Sequence, residues 1–195
     1  MNILVCVKQV PDTTAVKIDP VTNTLIRAGV PSILNPFDGF ALEMALQMKD
    51  KTGGTVTVMS MGPAQAEDVL RESLSVGADE AYLVSGREFG GSDTLATSYI
   101  LSCAVKAVEE KRGEKFDVIY CGKQAIDGDT GQVGPEMAEH LGYTQITYAT
   151  ELVACEGDKV QVRKETADGY DVLEAALPVV ISVTKPPFEL RYPTV

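Results

Sequence analysis

The residues best suited to chemistry lie in the run CGKQAIDGDTGQVGPE, residues 121–136. This run holds three acidic residues, one lysine and four glycines, between an apolar strand-like segment and a helix-like segment. Glycine lets a backbone approach a ligand closely and adopt positive φ. The N–H groups at a helix start are unpaired and carry a partial positive charge. The pattern therefore predicts a cradle for a phosphate-bearing ligand.

The sequence shows little sign of catalytic or metal-binding side chains. The cysteines, Cys6, Cys103, Cys121 and Cys155, show no C-x-x-C spacing, and His140 is the single histidine. A zinc or iron–sulfur site is therefore not expected, nor is a histidine-activated nucleophile. We predict no metal ligand and no catalytic side chain, and we expect the cysteines to be reduced.

Composition and charge narrow the class of protein. The 195 residues carry a net charge of −11, with 45% hydrophobic and 23% charged residues. Nucleic-acid binders need a basic patch, and the scattered Lys and Arg residues predict none. No apolar run has the length of a membrane span, and the first residues resemble a strand rather than a leader. We expect a cytoplasmic protein that binds neither nucleic acid nor membranes.

Alternating strand and helix patterns predict how this cradle is positioned. Short apolar runs indicate buried parallel strands at 3–8, 55–61, 80–85, 117–122 and 179–184. Helices are expected over 35–51, 62–78, 92–113 and 131–141. Asn35 and either Ser92 or Asp93 are the expected caps, with Pro36 in the first turn. The alternation predicts an α/β fold, a Rossmann-like parallel sheet with helices on both faces.

The last part of the chain has a different pattern. Residues 144–176 form three alternating segments separated by EGD and ADG, which predicts an antiparallel meander. We divide the chain into a nucleotide-binding α/β core over 1–143, a small antiparallel β extension over 144–185 and an extended segment over 186–195. In open parallel sheets, ligands bind at the carboxyl ends of the strands, so loops of the core should build the site. The standard dinucleotide fingerprint and the P-loop motif are both absent.

Several motifs give the chain a resemblance to a known family. They are CVKQVPDT, NPFD, MGPAQA, GGSDTLAT, CGKQAIDGDTGQVGPE and RYPT, in this order. The chain resembles the β (small) subunit of electron-transfer flavoproteins, whose fold is adenine-nucleotide α-hydrolase-like. The resemblance implies that an α subunit carries FAD and that this subunit binds AMP in the housekeeping group, or a second FAD in the group that bifurcates electrons from NADH. In the NPFD motif, Asp38 stands where the housekeeping group tends to have cysteine, and in this the chain resembles the bifurcating group. FAD is therefore the expected ligand, and AMP is the alternative.

The resemblance also implies the ligand-binding residues. Residues 125–136 wrap the ribose and phosphates, where Asp127 or Asp129 suits ribose hydroxyls and the amides of 131–134 suit phosphate. The implied set is Cys6, Val7, Asn35, Pro36, Phe37, Asp38, Met61, Thr94, Thr97, Ala125, Ile126, Asp127, Gly128, Asp129, Thr130, Gly131, Gln132, Val133, Gly134 and Glu136.

Simpler roles stay open for several of these residues and their neighbours. Asp38, Asp93 and Asp129 are equally suited to capping helices, and Met61 is suited to the core. Lys123 is equally suited to be a solvated surface cation and to bind a phosphate group. Two other functions stay open as well: a non-redox adenine-nucleotide domain of the stress-protein type, and an ATP-using ligase, against which the lack of an obvious magnesium-binding pair counts.

Partners follow from the same resemblance. Electrons from NADH would pass to the α-subunit FAD and an acyl-CoA dehydrogenase, and to ferredoxin or flavodoxin, so that NADH oxidation occurs only in the αβ complex. The family's docking segment LNEPR corresponds to PPFELR, which matches it at Glu189 and Arg191. Phe188 and Leu190 are the expected apolar anchors. The family's usual C-terminal arm is expected to be absent after residue 195.

Overall fold

The computed structural model describes residues 1–12, 17–18, 25–26 and 31–193. In these residues the helices are α1 (Pro36–Thr52), α2 (Glu67–Ser75), α3 (Thr94–Arg112) and α4 (Val133–Leu141). The strands are β1 (Asn2–Cys6), β2 (Gln9–Pro11), β3 (Lys17–Ile18), β4 (Leu25–Ile26), β5 (Ser32–Leu34), β6 (Thr55–Met61), β7 (Glu80–Val84), β8 (Val118–Gly122), β9 (Thr144–Glu156), β10 (Lys159–Thr166), β11 (Gly169–Ala176) and β12 (Val179–Val183).

One large sheet contains eight of these strands, in the order β11-β10-β9-β12-β8-β1-β6-β7. The six strands from β9 to β7 in this order are parallel, and β10 and β11 continue the sheet in antiparallel pairing. The predicted α/β fold, with a mostly parallel sheet and a small antiparallel extension, is confirmed. Because β9 pairs with both β12 and β10, the extension is continuous with the main sheet.

Helices cover both faces of the sheet, as predicted. On one face α1 and α2 pack over side chains such as Val5 and Val58, and on the other α3 and α4 pack over Leu4 and Ile119. Successive residues of a strand point to opposite faces, so a strand covered on both sides is apolar throughout. Burial of each such side chain contributes about 1.5–3 kcal/mol.

The helix starts agree only in part with their predicted caps. The carboxylate of Asp93, rather than the Ser92 side chain, accepts a hydrogen bond from the Ala96 N–H at 2.8 Å and caps α3. Asn35 precedes α1 as expected and Pro36 follows it, but the Asn35 side chain makes no capping bond. That side chain is therefore available for another role.

Helix α4 begins two residues later than the predicted start at 131. Gly131 has a φ of 66°, in the left-handed region, and cannot belong to a right-handed helix. Helix α2 also begins late, at Glu67, because Pro63 is extended and a short 3₁₀ turn, Ala64–Ala66, comes between them.

The segment after β12 has no helix or strand between residues 184 and 193. The last two residues of the predicted docking segment, 194 and 195, lie outside the described residues. Within the described ranges, each helix is too short or too polar to cross a bilayer.

Candidate functional site

A cavity of about 630 Å³ opens at the carboxyl ends of β8, β1 and β6, between the sheet and the starts of α3 and α4. Pockets that hold small molecules and cofactors typically measure ~300–1,000 Å³. The cavity is therefore large enough for a nucleotide, and it lies where an open parallel sheet binds its ligand.

Most residues of the expected ligand-binding set line this cavity. They are Cys6, Val7, Asn35, Asp38, Met61, Thr94, Thr97, Ala125, Gly128, Asp129, Thr130, Gly131, Gln132, Val133 and Gly134. Five expected residues do not line it: Pro36, Phe37, Ile126, Asp127 and Glu136. Direct contact of these five residues with a ligand stays a prediction.

A row of backbone donors forms one wall of the cavity. The N–H groups of residues 130–134 have no acceptor among the residues that the structure describes. The left-handed conformations of Asp129 (φ 53°) and Gly131 (φ 66°) turn the chain just before α4 begins. A helix start with free amides and a partial positive charge binds phosphate without needing a cationic side chain.

The start of α3 forms the facing wall. The Thr94 hydroxyl lies 3.3 Å from Gln132 Oε1 and 3.2 Å from Glu136 Oε1, and so connects α3 with α4. The other carboxylate oxygen of Glu136 is buried and has no hydrogen-bond partner among the described residues. Glu136 thus supports the wall from behind, and one of its acceptors remains unpaired.

The expected set left out part of the lining, namely Lys8, Met59, Phe89, Gly91, Ser92, Asp93, Leu101, Cys121, Gly122, Lys123 and Gln124. Residues 121–124 nevertheless belong to the run 121–136 that the sequence indicates as a ligand cradle. The run GREFGGSDT after β7 carried a usable signal, because a glycine-rich loop before a helix start is the pattern that identified the run after β8. Met59 and Leu101 gave no such signal, since buried apolar residues look alike in sequence.

Two thiols lie side by side at the floor of the cavity. Cys6 and Cys121 are register partners on β1 and β8, and both are buried. Burial raises the pKa of the Cys6 thiol to about 12, with a smaller contribution from the charge of Asp38. Burial also raises the pKa of Cys121 well above its ordinary value. Both thiols stay protonated at neutral pH, in agreement with the expectation of reduced, unreactive cysteines.

Asp38 joins the two central strands beneath the cavity. Its carboxylate accepts hydrogen bonds from the Lys8 N–H at 2.8 Å and the Gly122 N–H at 3.0 Å. Burial raises the pKa of Asp38 to about 7, although hydrogen bonds from Asn35, Lys8 and Gly122 lower it. Asp38 therefore bridges the ends of β1 and β8 and does not act as the helix cap that the sequence left open.

Two lysines near the cavity already have partners. The Lys8 ammonium lies 2.8 Å and 2.9 Å from the two carboxylate oxygens of Asp127. The Lys123 ammonium lies 5.1 Å from the ring centre of Phe37 and 5.9 Å from that of Tyr148, as in a cation–π contact. Asp127 and Phe37 thus hold lysines in place, and the amides remain the donors best placed for phosphate.

The expected docking residues lie outside the lining of the large cavity, and Arg191 attaches them to α1. The Arg191 guanidinium pairs with Glu43 at 2.9 Å and with Asp50 at 2.9 Å. Phe188 is half-buried against the core, whereas Glu189 and Leu190 are exposed. This segment is therefore fixed to the chain at Arg191 and presents its other side to solvent.

The lining fits a ligand that combines phosphate with a flat apolar group. Met59, Met61 and Leu101 supply apolar surface, and the amides of 130–134 supply phosphate donors. Within the described residues, no cluster of His, Cys, Asp and Glu has the arrangement of a metal site. The chemistry of the donors thus suits a nucleotide cofactor.

Comparison with known proteins identifies the family. The electron transfer flavoprotein domain matches residues 22–194. An electron transfer flavoprotein subunit beta from Megasphaera elsdenii is 59% identical over 197 residues, which cover 100% of this chain and 73% of that protein. Subunit CarD of the caffeyl-CoA reductase–Etf complex from Acetobacterium woodii is 52% identical, with 100% of this chain and 72% of that protein covered. Protein FixA from Azotobacter vinelandii is 50% identical, with 98% and 68% covered.

The matched domain covers most of the chain, and the relatives align along almost all of its length. Electron transfer, association with a flavin or nucleotide and pairing with an α subunit are properties of this family. The chain belongs to the electron transfer flavoprotein family, among its β subunits.

Proposed function

We propose that the chain binds FAD in the large cavity and acts with an FAD-carrying α subunit as the β subunit of an electron-bifurcating flavoprotein. Uptake of a hydride from NADH and one-electron transfer are the chemistry that bound FAD supplies. The residues of this chain bind and orient the cofactor and exclude water from it.

The presence of two helix starts on one cavity carries this proposal. The amides of 130–134 lead into α4, and Thr94 and Thr97 lie at the start of α3, so that two regions suited to phosphate face one space. A dinucleotide such as FAD has two phosphates and a second flat ring system, whereas AMP has one phosphate and one ring. AMP, the ligand of the housekeeping type, remains the alternative.

The relatives support the choice of partners. The name of the Acetobacterium woodii relative places it in a complex with a caffeyl-CoA reductase, which favours an enzyme acting on an acyl-CoA, such as an acyl-CoA dehydrogenase, as the electron acceptor here. The resemblance to the bifurcating group adds NADH as donor and ferredoxin or flavodoxin as the low-potential acceptor. A cytoplasmic location stays a prediction from the sequence.

Cofactor analysis of the intact αβ complex tests the proposal. The complex is purified and denatured, and the released FAD and AMP are quantified per heterodimer. Two FAD molecules per heterodimer are expected. One FAD and one AMP would support the housekeeping alternative, and one FAD without AMP would contradict a nucleotide site in this chain.

A coupled assay tests bifurcation. The αβ complex receives NADH with an acyl-CoA dehydrogenase and an enoyl-CoA as terminal electron acceptor, with ferredoxin, or with both. Ferredoxin reduction by NADH should require the dehydrogenase and the enoyl-CoA, which is reduced to the acyl-CoA. Equal ferredoxin reduction without them would contradict bifurcation, even if two FAD molecules are bound.

A further inference from the structure

Asn35 is an almost fully buried polar residue, 1% exposed, at the corner between β5 and α1. Its sequence pattern predicts a helix cap, but its side chain does not cap α1. A buried amide that is left unpaired is costly, so its partners indicate what the residue does.

The partners of Asn35 lie on the loop that follows β8. Its Nδ2 donates to the Gln124 carbonyl at 2.9 Å, and its Oδ1 accepts from the Ile126 N–H at 3.2 Å. The Asn35 side chain also lowers the pKa of the neighbouring Asp38 carboxyl. Exchanging Nδ2 and Oδ1 would place like groups together at both contacts with the loop, so the hydrogen bonds determine the amide orientation.

The backbone of Asn35 completes the connection. Its N–H donates to the Lys8 carbonyl at 2.9 Å, and Asp38 holds the Lys8 and Gly122 amides. One corner thus connects the ends of β1 and β8 with the start of the loop that leads to the donor row 130–134. At the tip of the same loop, the Lys8–Asp127 ion pair adds a second attachment.

We infer that Asn35 is the positioning residue of the cofactor site: its side-chain amide holds loop 123–129, and through it the donor row, in the ligand-binding conformation. This inference rests on the proposed function and deepens it. Ile126, whose amide makes this attachment, does not itself line the cavity.

Hydrogen–deuterium exchange of the intact αβ complex tests the attachment directly. Asn35→Ala should speed exchange of the Ile126 amide by about tenfold or more, since that amide loses its acceptor. Exchange in β1 and β6 should not change. Asn2→Ala is the matched control, because Asn2 makes similar long-range bonds to Glu114 and Lys115 at the opposite, amino end of the sheet.

Retention of the cofactor is the second readout. Asn35→Ala should raise the dissociation constant of the nucleotide in this chain by about tenfold, and Asn2→Ala should leave it unchanged. Asn35→Asp keeps an acceptor for Ile126 but sets a buried carboxylate oxygen against the Gln124 carbonyl and close to Asp38, so it should weaken nucleotide binding at least as much as Asn35→Ala. An unchanged Ile126 exchange rate, or equal losses in both alanine variants, would overturn the inference.

A surface variant keeps the test decisive if Asn35→Ala does not fold. Lys8→Met removes the attachment at Asp127, where the side chains are partly exposed, and should speed exchange of residues 127–129 and weaken nucleotide binding by a few-fold. No change in either quantity would overturn the inference. Binding of AMP or of no nucleotide would contradict the proposed function, while the Ile126 exchange rate would still report on the attachment.

Discussion

Individual residues beneath the cavity combine structural and electrostatic roles. Asp38 is buried and accepts two backbone hydrogen bonds from the ends of β1 and β8. Burial opposes its ionisation, and the hydrogen bonds favour it; the result is a pKa of about 7. A carboxyl group of this kind makes stability depend on pH between its ordinary pKa of 3.8 and about 7.

Asp38 should contribute more to the free energy of unfolding in mild acid than at neutral pH. Its pKa is raised from 3.8 to about 7, so between these values the folded state binds a proton that the unfolded state does not. The contribution of Asp38 to the free energy of unfolding should therefore fall as pH rises from about 4 to 7 and then level off.

Urea unfolding at several pH values between 5 and 8 checks this prediction. The difference in free energy of unfolding between the natural protein and Asp38→Asn should decrease over this range. Asp171→Asn, on exposed strand β11, is the control and should give a difference that changes little. A difference that increases with pH for Asp38→Asn would contradict the sign.

Gly122 should tolerate no side chain. A Cβ at this position would collide with Asp38 Oδ1 and would lie 2.7 Å from the Phe37 backbone. Overpacking of this kind typically costs about 1–3 kcal/mol, so Gly122→Ala should lower the free energy of unfolding by that amount in urea titrations. Gly128→Ala, where a Cβ meets no atom within 4 Å, is the control; an equal loss there would rule out a steric cause.

At the scale of elements, the helix starts α3 and α4 define the site. A cap is a local feature that the sequence shows, and Asp93 is an example. The exact start of α4 was not predictable, because the left-handed conformation of Gly131 delays it to Val133. The role of Asn35 was not predictable, because its partners lie 89 and 91 residues away and the same residue type also caps helices. The Lys8–Asp127 pair escaped prediction for the same reason.

Filling the cavity from α3 should displace the cofactor of this chain alone. Thr97 lines the cavity, and Cys103 lies exposed further along the same helix. Thr97→Trp should lower the FAD content of the αβ complex from about two to about one per heterodimer, because the indole occupies ligand space.

Cys103→Trp is the matched control and should retain both cofactors, since its side chain projects into solvent. Absorbance of the released flavin, related to protein concentration, gives the ratio. Two FAD molecules in Thr97→Trp would mean that the ligand lies elsewhere. A loss of FAD in both variants would point to defective assembly.

At the scale of the whole molecule, one sheet separates the cavity from the expected docking segment. The cavity lies on the face covered by α3 and α4, and the docking segment lies against α1 on the other face. The docking role of this segment stays a prediction, and the sequence could not predict how the segment is held, because its ion pairs join Arg191 to residues on a distant helix. Changes in the segment should therefore affect partner binding without affecting the cofactor.

Arg191→Met should release this segment. Glu43 is nearly buried, and it accepts hydrogen bonds from both the backbone and the guanidinium of Arg191. Removal of the guanidinium leaves that carboxylate poorly paired and should cost about 1–3 kcal/mol, less than for a fully buried pair because the arginine is partly exposed. Hydrogen exchange across residues 186–193 should become faster, and the KM of the αβ complex for its acyl-CoA dehydrogenase should rise several-fold.

Arg71→Met provides the control for this change, because it removes an arginine whose pair with Glu67 is exposed on both sides. It should alter neither the exchange rate nor the KM, and both variants should keep their full FAD content. If Arg191→Met shows faster exchange but a normal KM, Arg191 holds the segment in place but the segment does not bind the dehydrogenase. The dehydrogenase would then have to bind another surface. A loss of FAD in Arg191→Met would contradict the independence of the two faces.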